Sequence, residues 1–284
     1  MRPFVSRSPD TFALLIAGVA VLALAWPILG WWLWEWRRPD SASAYAPIVP
    51  VLAALLVYQR RRFILEAPRQ PEPLAFIGVA LSLGLLLISV RQELLAAGSV
   101  AVLALLFFSV LGLLGPKKLR ELAVPLGMLV ALPPLPGPLL SDLTLGAQKL
   151  STTLATQGFQ LMGLHPVQNG MTIQLDRYAM EVEAPCSGFK LLLTLLVLGG
   201  ALAGLTDLSR GRKWLLLLGI IPLALLINAL RIILVGLIGE AAGFSAAQRL
   251  HDASGYASLV LCLTALLTIA HSMGCKRLGG YPLF

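Results

Sequence analysis

Three polar stretches interrupt the apolar second half of this chain: Glu181-Val182-Glu183-Ala184-Pro185-Cys186-Ser187-Gly188-Phe189-Lys190, then Asn228-Ala229-Leu230-Arg231, then His251-Asp252-Ala253-Ser254-Gly255-Tyr256. Together they offer a thiol, a guanidinium and an imidazole. A free thiol, with a pKa of about 8.5, is a weak nucleophile at neutral pH, and a helix N-terminus or a nearby cation lowers that value. Cys186 is expected to have both, an oncoming helix and Lys190 one turn into it. An imidazole beside it, His251, can take the thiol proton and later give one to a leaving amine. Arg231 holds its charge at any physiological pH and suits a thiolate or the oxyanion of a tetrahedral intermediate. Asn228, one turn earlier, can orient Arg231 or add a donor, and Gly188 and Gly255 leave room for close backbone approach. Ser187, Gly188, Lys190 and Tyr256 join Asn228 as supporting or substrate-binding residues.

The other candidates read as structural. Cys262 lies inside an apolar run, Cys275 lies beside Lys276 and Arg277, and His165 and His271 have no convergent partners. The three cysteines and three histidines show no paired ligand spacing, so neither a metal nor another cofactor is expected. Arg231 is the hardest residue to dismiss, because an arginine within an apolar span is costly and functional by default. Spacing alone fits a Cys–Arg–His site and the polar cluster of a small transporter or lipid-binding protein equally well; in the second case Arg231 meets an anionic substrate.

The elements that must position these groups are membrane helices. Of 284 residues, 57% are hydrophobic and 13% charged, with a mean hydropathy of +0.82, whereas soluble domains carry roughly 25% charged residues. That composition excludes a soluble enzyme and a disordered chain, and three cysteines are too few for a disulfide-stapled secreted fold. The expected class is an all-α polytopic membrane protein of about eight transmembrane helices. Apolar runs suited to about 30 Å of hydrocarbon lie at 11–31, 44–59, 74–90, 94–114, 119–133, 189–206, 214–239 and 256–274. Ala23-Leu24-Ala25 resembles a signal-peptide cleavage site, but the run continues into Trp31-Trp32-Leu33-Trp34, so a retained helix is expected.

The net charge of +8 comes from clusters between the apolar runs, not from one basic face, so no nucleic-acid partner is expected. With the N-terminus inside, Arg2, Arg7, Arg60, Arg61, Arg62, Arg69, Lys117, Lys118, Arg120, Arg210, Arg212, Lys213, Lys276 and Arg277 all fall on the cytoplasmic side. These are fourteen of the 22 lysines and arginines, and the positive-inside rule then places both termini in the cytoplasm. If the seventh helix starts at Trp214, Arg231 lies seventeen residues on, about 25 Å across the bilayer. Cys186 and His251 reach the same outer layer from the starts of the sixth and eighth helices.

Between the fifth and sixth spans, Pro133, Pro134, Pro136 and Pro138 stop one helix. Leu143, Ala147, Leu150, Leu154 and Leu161 then recur at helical spacing, with Lys149, Thr152, Thr153 and Gln157 elsewhere on the wheel. This predicts an amphipathic helix on the outer membrane face. Alternation through Ile173, Leu175, Tyr178, Met180 and Val182, broken at Asp176-Arg177, predicts a short β-hairpin over 172–183. The whole reads as one integral-membrane domain, 1–284. Its parts are N-terminal helices in 1–132, the external helix and hairpin in 133–187, and catalytic helices in 188–284.

At Ala184-Pro185-Cys186-Ser187-Gly188-Phe189-Lys190, at Asn228-Ala229-Leu230-Arg231-Ile232 and at His251 with Gly255, the sequence resembles the exosortase/archaeosortase family of membrane-embedded cysteine transpeptidase-like proteins. The Pro-rich end of the fifth span and Gly163-Leu164-His165-Pro166-Val167 with Gly170 also look familiar. The resemblance covers the second half of the chain well and the first half only in its number of spans. It implies a protease and transpeptidase of the bacterial inner membrane, its site facing the periplasm. The implied substrates are secreted proteins with a C-terminal sorting tail: a short motif (Pro-Glu-Pro in one branch), a transmembrane helix and a basic end. The acyl group would pass to an envelope acceptor, a glycan or a lipid, with membrane lipid all around. By motif match Cys186 is the nucleophile, forming a thioester, Arg231 the transition-state stabiliser and His251 the acid/base. Many members have Ala before the cysteine and Arg after the glycine, where this chain has Pro185 and Lys190.

Overall fold

The computed structural model describes residues 11–38 and 41–282; Arg2 and Arg7, used above for orientation, lie outside the described residues. Hydrocarbon offers no partner for a backbone amide, so apolar runs close their hydrogen bonds internally as helices. Each expected span coincides with one: α1 (Thr11–Arg37), α2 (Ile48–Glu66), α3 (Ala75–Arg91), α4 (Leu95–Leu114), α5 (Pro116–Met128), α7 (Phe189–Leu205), α8 (Arg210–Ala242) and α9 (Phe244–Ser272). Four of these helices, α1 from Gly18, α4, α8 and α9, are long and apolar enough to cross a membrane, while α3 and α7 are apolar but shorter. α2 carries Arg60, Arg61 and Arg62 near its end, and α5 has 13 residues prolonged by a 3-10 turn, Leu129–Ala131. A multi-pass all-helical membrane architecture therefore stands, but the number eight does not follow from it.

The helices pack as two groups. α1, α3 and α4 bury Ile28, Trp32, Leu86, Ala101 and Leu105, and the Trp32 indole N–H donates to the Ser99 hydroxyl at 2.8 Å. α7, α8 and α9 enclose a second core of Leu195, Leu216, Ile220, Cys262 and Leu266. α2 and α5 pack on each other and bridge the groups, α5 touching α4 and both touching α7.

The connection between α5 and α7 builds a cap on one end of the helices. α6 (Gly137–Leu161) is followed by β1 (Val167–Asn169), β2 (Thr172–Gln174) and β3 (Ala179–Glu181), an antiparallel meander in the order β1-β2-β3. The expected hairpin is β2–β3, with Ile173 opposite Met180. β1 was not anticipated, because Pro166-Val167-Gln168-Asn169 carries no alternation for the periodicity to register. Ile173, Leu175 and Val182 fill a small core against Ala155 and Phe159 of α6 and Ile232 and Ile233 of α8. Glu240 of α8 accepts the Arg177 amide at 3.0 Å, tying the hairpin turn to the helix end.

α6 adds a face that the leucine pattern did not reveal. Leu143, Leu150 and Leu161 are exposed, as an apolar stripe turned to a membrane would be. The face pressed on the protein is Gln148, Ser151, Thr152, Ala155, Thr156 and Phe159, mostly polar or small, and it carries the hydrogen bonds of the site.

Candidate active site

Cys186 ends a 3-10 turn, Ala184–Cys186, between β3 and α7. Pro185 presets φ there, and the Cys186 amide donates to the Glu183 carbonyl at 2.9 Å. Gly188 follows with φ +78°, and a Cβ on it would sit 2.7 Å from the Asn228 side chain. Only glycine meets both conditions, so the close approach expected at this position is real. At Gly255 no neighbour approaches: a Cβ there would meet nothing within 4 Å, and the glycine borders open space.

Asn228, 1% exposed, does not orient Arg231. Its amide donates to the Cys186 carbonyl at 2.9 Å and to the Ser151 hydroxyl at 3.1 Å. Ser151 donates in turn to the Ser187 carbonyl at 2.9 Å, and Gln148 donates to the Val182 carbonyl at 3.0 Å. The fully buried Ser187 accepts the Phe189 amide at 3.1 Å. The strand, the turn and the start of α7 are thus pinned by α6 and α8 through backbone carbonyls. Ser151 and Gln148 escaped the sequence reading; the signal was the polar i, i+3 face opposite the leucine stripe.

Arg231 lies 21 residues along α8, about 32 Å from its basic start at Arg210. Gly243, with φ +81°, both ends α8 and begins α9, folding the two helices into a hairpin that returns His251 beside Arg231. α9 begins twelve residues earlier than the apolar run, because the polar residues around His251 form helix without being hydrocarbon-compatible. The guanidinium donates through Nε to the Ser254 hydroxyl at 2.9 Å and through Nη2 to the His251 carbonyl at 3.2 Å, and Ser254 donates to that same carbonyl at 2.9 Å. Ser254, unassigned from sequence, is therefore the bracket that aims Arg231. Arg231 Nη2 stands 3.5 Å from His251 Nδ1, and Cys186 Sγ stands 3.6 Å from Nδ1 and 3.5 Å from Nε2. A guanidinium has no lone pair to offer. It can therefore pair with Nδ1 only in the tautomer that leaves that nitrogen unprotonated, and the sulfur is nearly equidistant from both ring nitrogens.

The electrostatics run against the expected activation of the thiol. Burial pushes the Cys186 thiol above its ordinary pKa and Glu183 adds to this, outweighing the opposing Arg231 charge and the backbone hydrogen bond. The first α7 amide is spent on Ser187, and the helix starts only after Gly188. Burial thus favours the neutral thiol, and a proton acceptor is what would turn it into a nucleophile.

Two cavities meet at Arg231. A cleft of about 300 Å³ runs along β3 and the following segment from Tyr178 to Glu183, reaching Cys186, Arg231 and His251, with Phe244 and Gln248 opposite. On the other side a cavity of about 500 Å³ is lined by Tyr45, Pro185, Lys190, Thr194, Tyr256 and Leu259, with Gly255 at its wall. Lys190 and Tyr256 thus face the second cavity, and the cation acting on the sulfur through space is Arg231. Among the described residues, no three of His, Cys, Asp and Glu gather as a metal site.

The family model for transmembrane exosortases matches residues 36–268. This chain belongs to the exosortase family. The matched segment runs from the end of α1 into α9 and includes the cap, Cys186, Arg231 and His251. Comparison with curated proteins and with solved structures returned no match.

Proposed function

We propose that this exosortase-family protein is a cysteine transpeptidase that cuts the C-terminal sorting tail of secreted proteins and passes the new acyl end to an envelope acceptor. The supporting observation is that a thiol and a guanidinium, from two separate elements, both stand within 3.6 Å of the imidazole of a third, beside an open strand edge. In antiparallel pairing, backbone groups alternate between the partner strand and the free edge. Leu175 donates to the Tyr178 carbonyl and Val182 donates to the Met171 carbonyl, so Ala179 and Glu181 turn their backbone groups outward, into the cleft. An extended peptide adds there as a further strand, its scissile carbonyl over Cys186. The second cavity receives the apolar helix that follows the cut.

The Cys186 proton moves to His251 as sulfur attacks the carbonyl carbon, and Arg231 stabilises the oxyanion. His251 returns the proton to the departing amine, the C–N bond breaks and a thioester remains on Cys186. An acceptor hydroxyl or water then attacks the thioester, losing its proton to His251 and freeing the thiol. The protein is a single integral domain of the inner membrane, with both termini in the cytoplasm and the site on the periplasmic side.

Mass spectrometry of a co-expressed secreted protein bearing a sorting tail tests this reading. Wild type is expected to give the shortened product and Cys186→Ala the intact tail, with a thioester trapped on Cys186 when acceptor is limiting. Processing by Cys186→Ala would refute it and favour transport or lipid binding centred on Arg231.

A further inference from the structure

The end of the helix bundle remote from Cys186 contains a strongly basic cavity, and the transpeptidase reading gives it no task. It measures about 960 Å³ and lies where α2, α5, α7 and α8 meet, near the top of the roughly 300–1,000 Å³ range of small-molecule sites. Arg60, Lys117, Arg120, Arg210 and Lys213 line it against one acid, Glu121. None of the five cations forms an ion pair with a carboxylate within 4.0 Å. Five like charges around one space repel one another, so the cavity calls for a negative occupant.

Its walls say what kind. Beneath the cations the lining turns apolar or featureless: Gly200, Ala203 and Gly204 on one side of α7, with Val124 and Leu217. A Cβ added at Gly200 would meet nothing within 4 Å, so this glycine opens onto free space within the span. Trp214, 65% exposed, stands at the rim where interfacial aromatics collect. A ring of cations above an apolar floor matches a ligand with an anionic head and hydrocarbon below. A soluble phosphate would use the ring alone. Basic pockets between helices at the cytoplasmic surface are a general mode of anionic head-group recognition.

We propose that this cavity binds an anionic phospholipid of the inner leaflet, the phosphodiester among Arg60, Arg120 and Lys213 and an acyl chain along the Gly200–Gly204 face of α7. The proposal rests on charge and shape at this end and does not depend on what Cys186 does.

Native mass spectrometry of the full-length protein, titrated with phosphatidylglycerol, phosphatidylcholine or inorganic phosphate, tests it. Wild type is expected to hold phosphatidylglycerol in preference to phosphatidylcholine. The combined Arg60→Gln, Arg120→Gln and Lys213→Gln variant should bind it roughly a hundredfold more weakly, at about fivefold per cation. Gly200→Leu, which fills the floor and keeps every charge, should also displace the lipid. Arg61→Gln, Arg62→Gln and Lys118→Gln together remove equal charge from the same end outside the cavity and should leave binding near wild type. Protection of the fully buried Cys262 from alkylation reports that each variant is folded. Undiminished binding by the cavity triple, equal loss in the outside triple, or displacement of the lipid by inorganic phosphate would each overturn the proposal.

Discussion

The two ends of this bundle solve opposite problems. Around Cys186 the polar groups are few, buried and bonded: Asn228, Ser151 and Ser187 form a chain in which every donor named above has its acceptor. At the other end five cations surround a cavity three times larger with no acid bonded to them. The contrast teaches that chemistry here depends on geometry held by hydrogen bonds, whereas the basic end depends on summed charge and tolerates loose geometry. Single substitutions should therefore be severe at one end and mild at the other.

The largest effect is expected from the reacting groups. Cys186→Ala should abolish tail processing, His251→Ala should slow it by about 10²–10⁴, and Arg231→Met by about 10²–10³, each measured by product formation in membranes with equal protein content. Next come the residues that hold the turn. Asn228→Ala removes two buried hydrogen bonds and should cost about 2–4 kcal/mol of stability, read as a lower melting temperature in detergent. Gly188→Ala should cost about 1–3 kcal/mol through its left-handed backbone and the clash with Asn228.

Ala179→Pro probes the strand edge alone. The lost N–H points away from β2, so the sheet should survive while processing falls about tenfold and Cys186 alkylation is unchanged; normal processing would remove strand addition from the mechanism. Smaller still is a pH effect. Alkylation of Cys186 should rise with pH through a midpoint above that of an ordinary thiol, since burial favours the neutral form. Arg231→Met, removing a charge that lowers the value, should move the midpoint up, and Glu183→Gln, removing one that raises it, should move it down. At the basic end, Arg60→Gln alone should change stability by less than about 0.5 kcal/mol.

Much of the site could be read from sequence because its members are costly in their settings. An arginine in an apolar run, a cysteine before a helix and a histidine after a polar break each stand out against hydrocarbon, and the structure brings all three to one place. Helix positions were legible for the same reason, since apolar runs in lipid have one solution. What stayed hidden depends on tertiary contact. Ser151 and Gln148 look like the solvent side of an amphipathic helix until the leucines are seen to face outward. Asn228 sits one turn from Arg231, yet its amide turns to the cysteine carbonyl. The thiol was expected to be acidified by its helix, whereas burial, which no local pattern displays, moves it the other way. α2 and α5 resist counting as spans because charge and proline shorten their apolar stretches.

Arg231 and His251 ride the two arms of one helical hairpin bent at Gly243, while Cys186 is delivered separately by the cap. Their mutual spacing is thus a property of a single bend. One extra residue inserted after Gly243 would turn the whole second arm by about 100° about its axis, swinging the imidazole off both partners while every other helix kept its place. The spacing of imidazole and guanidinium is therefore only as accurate as the length of one short corner.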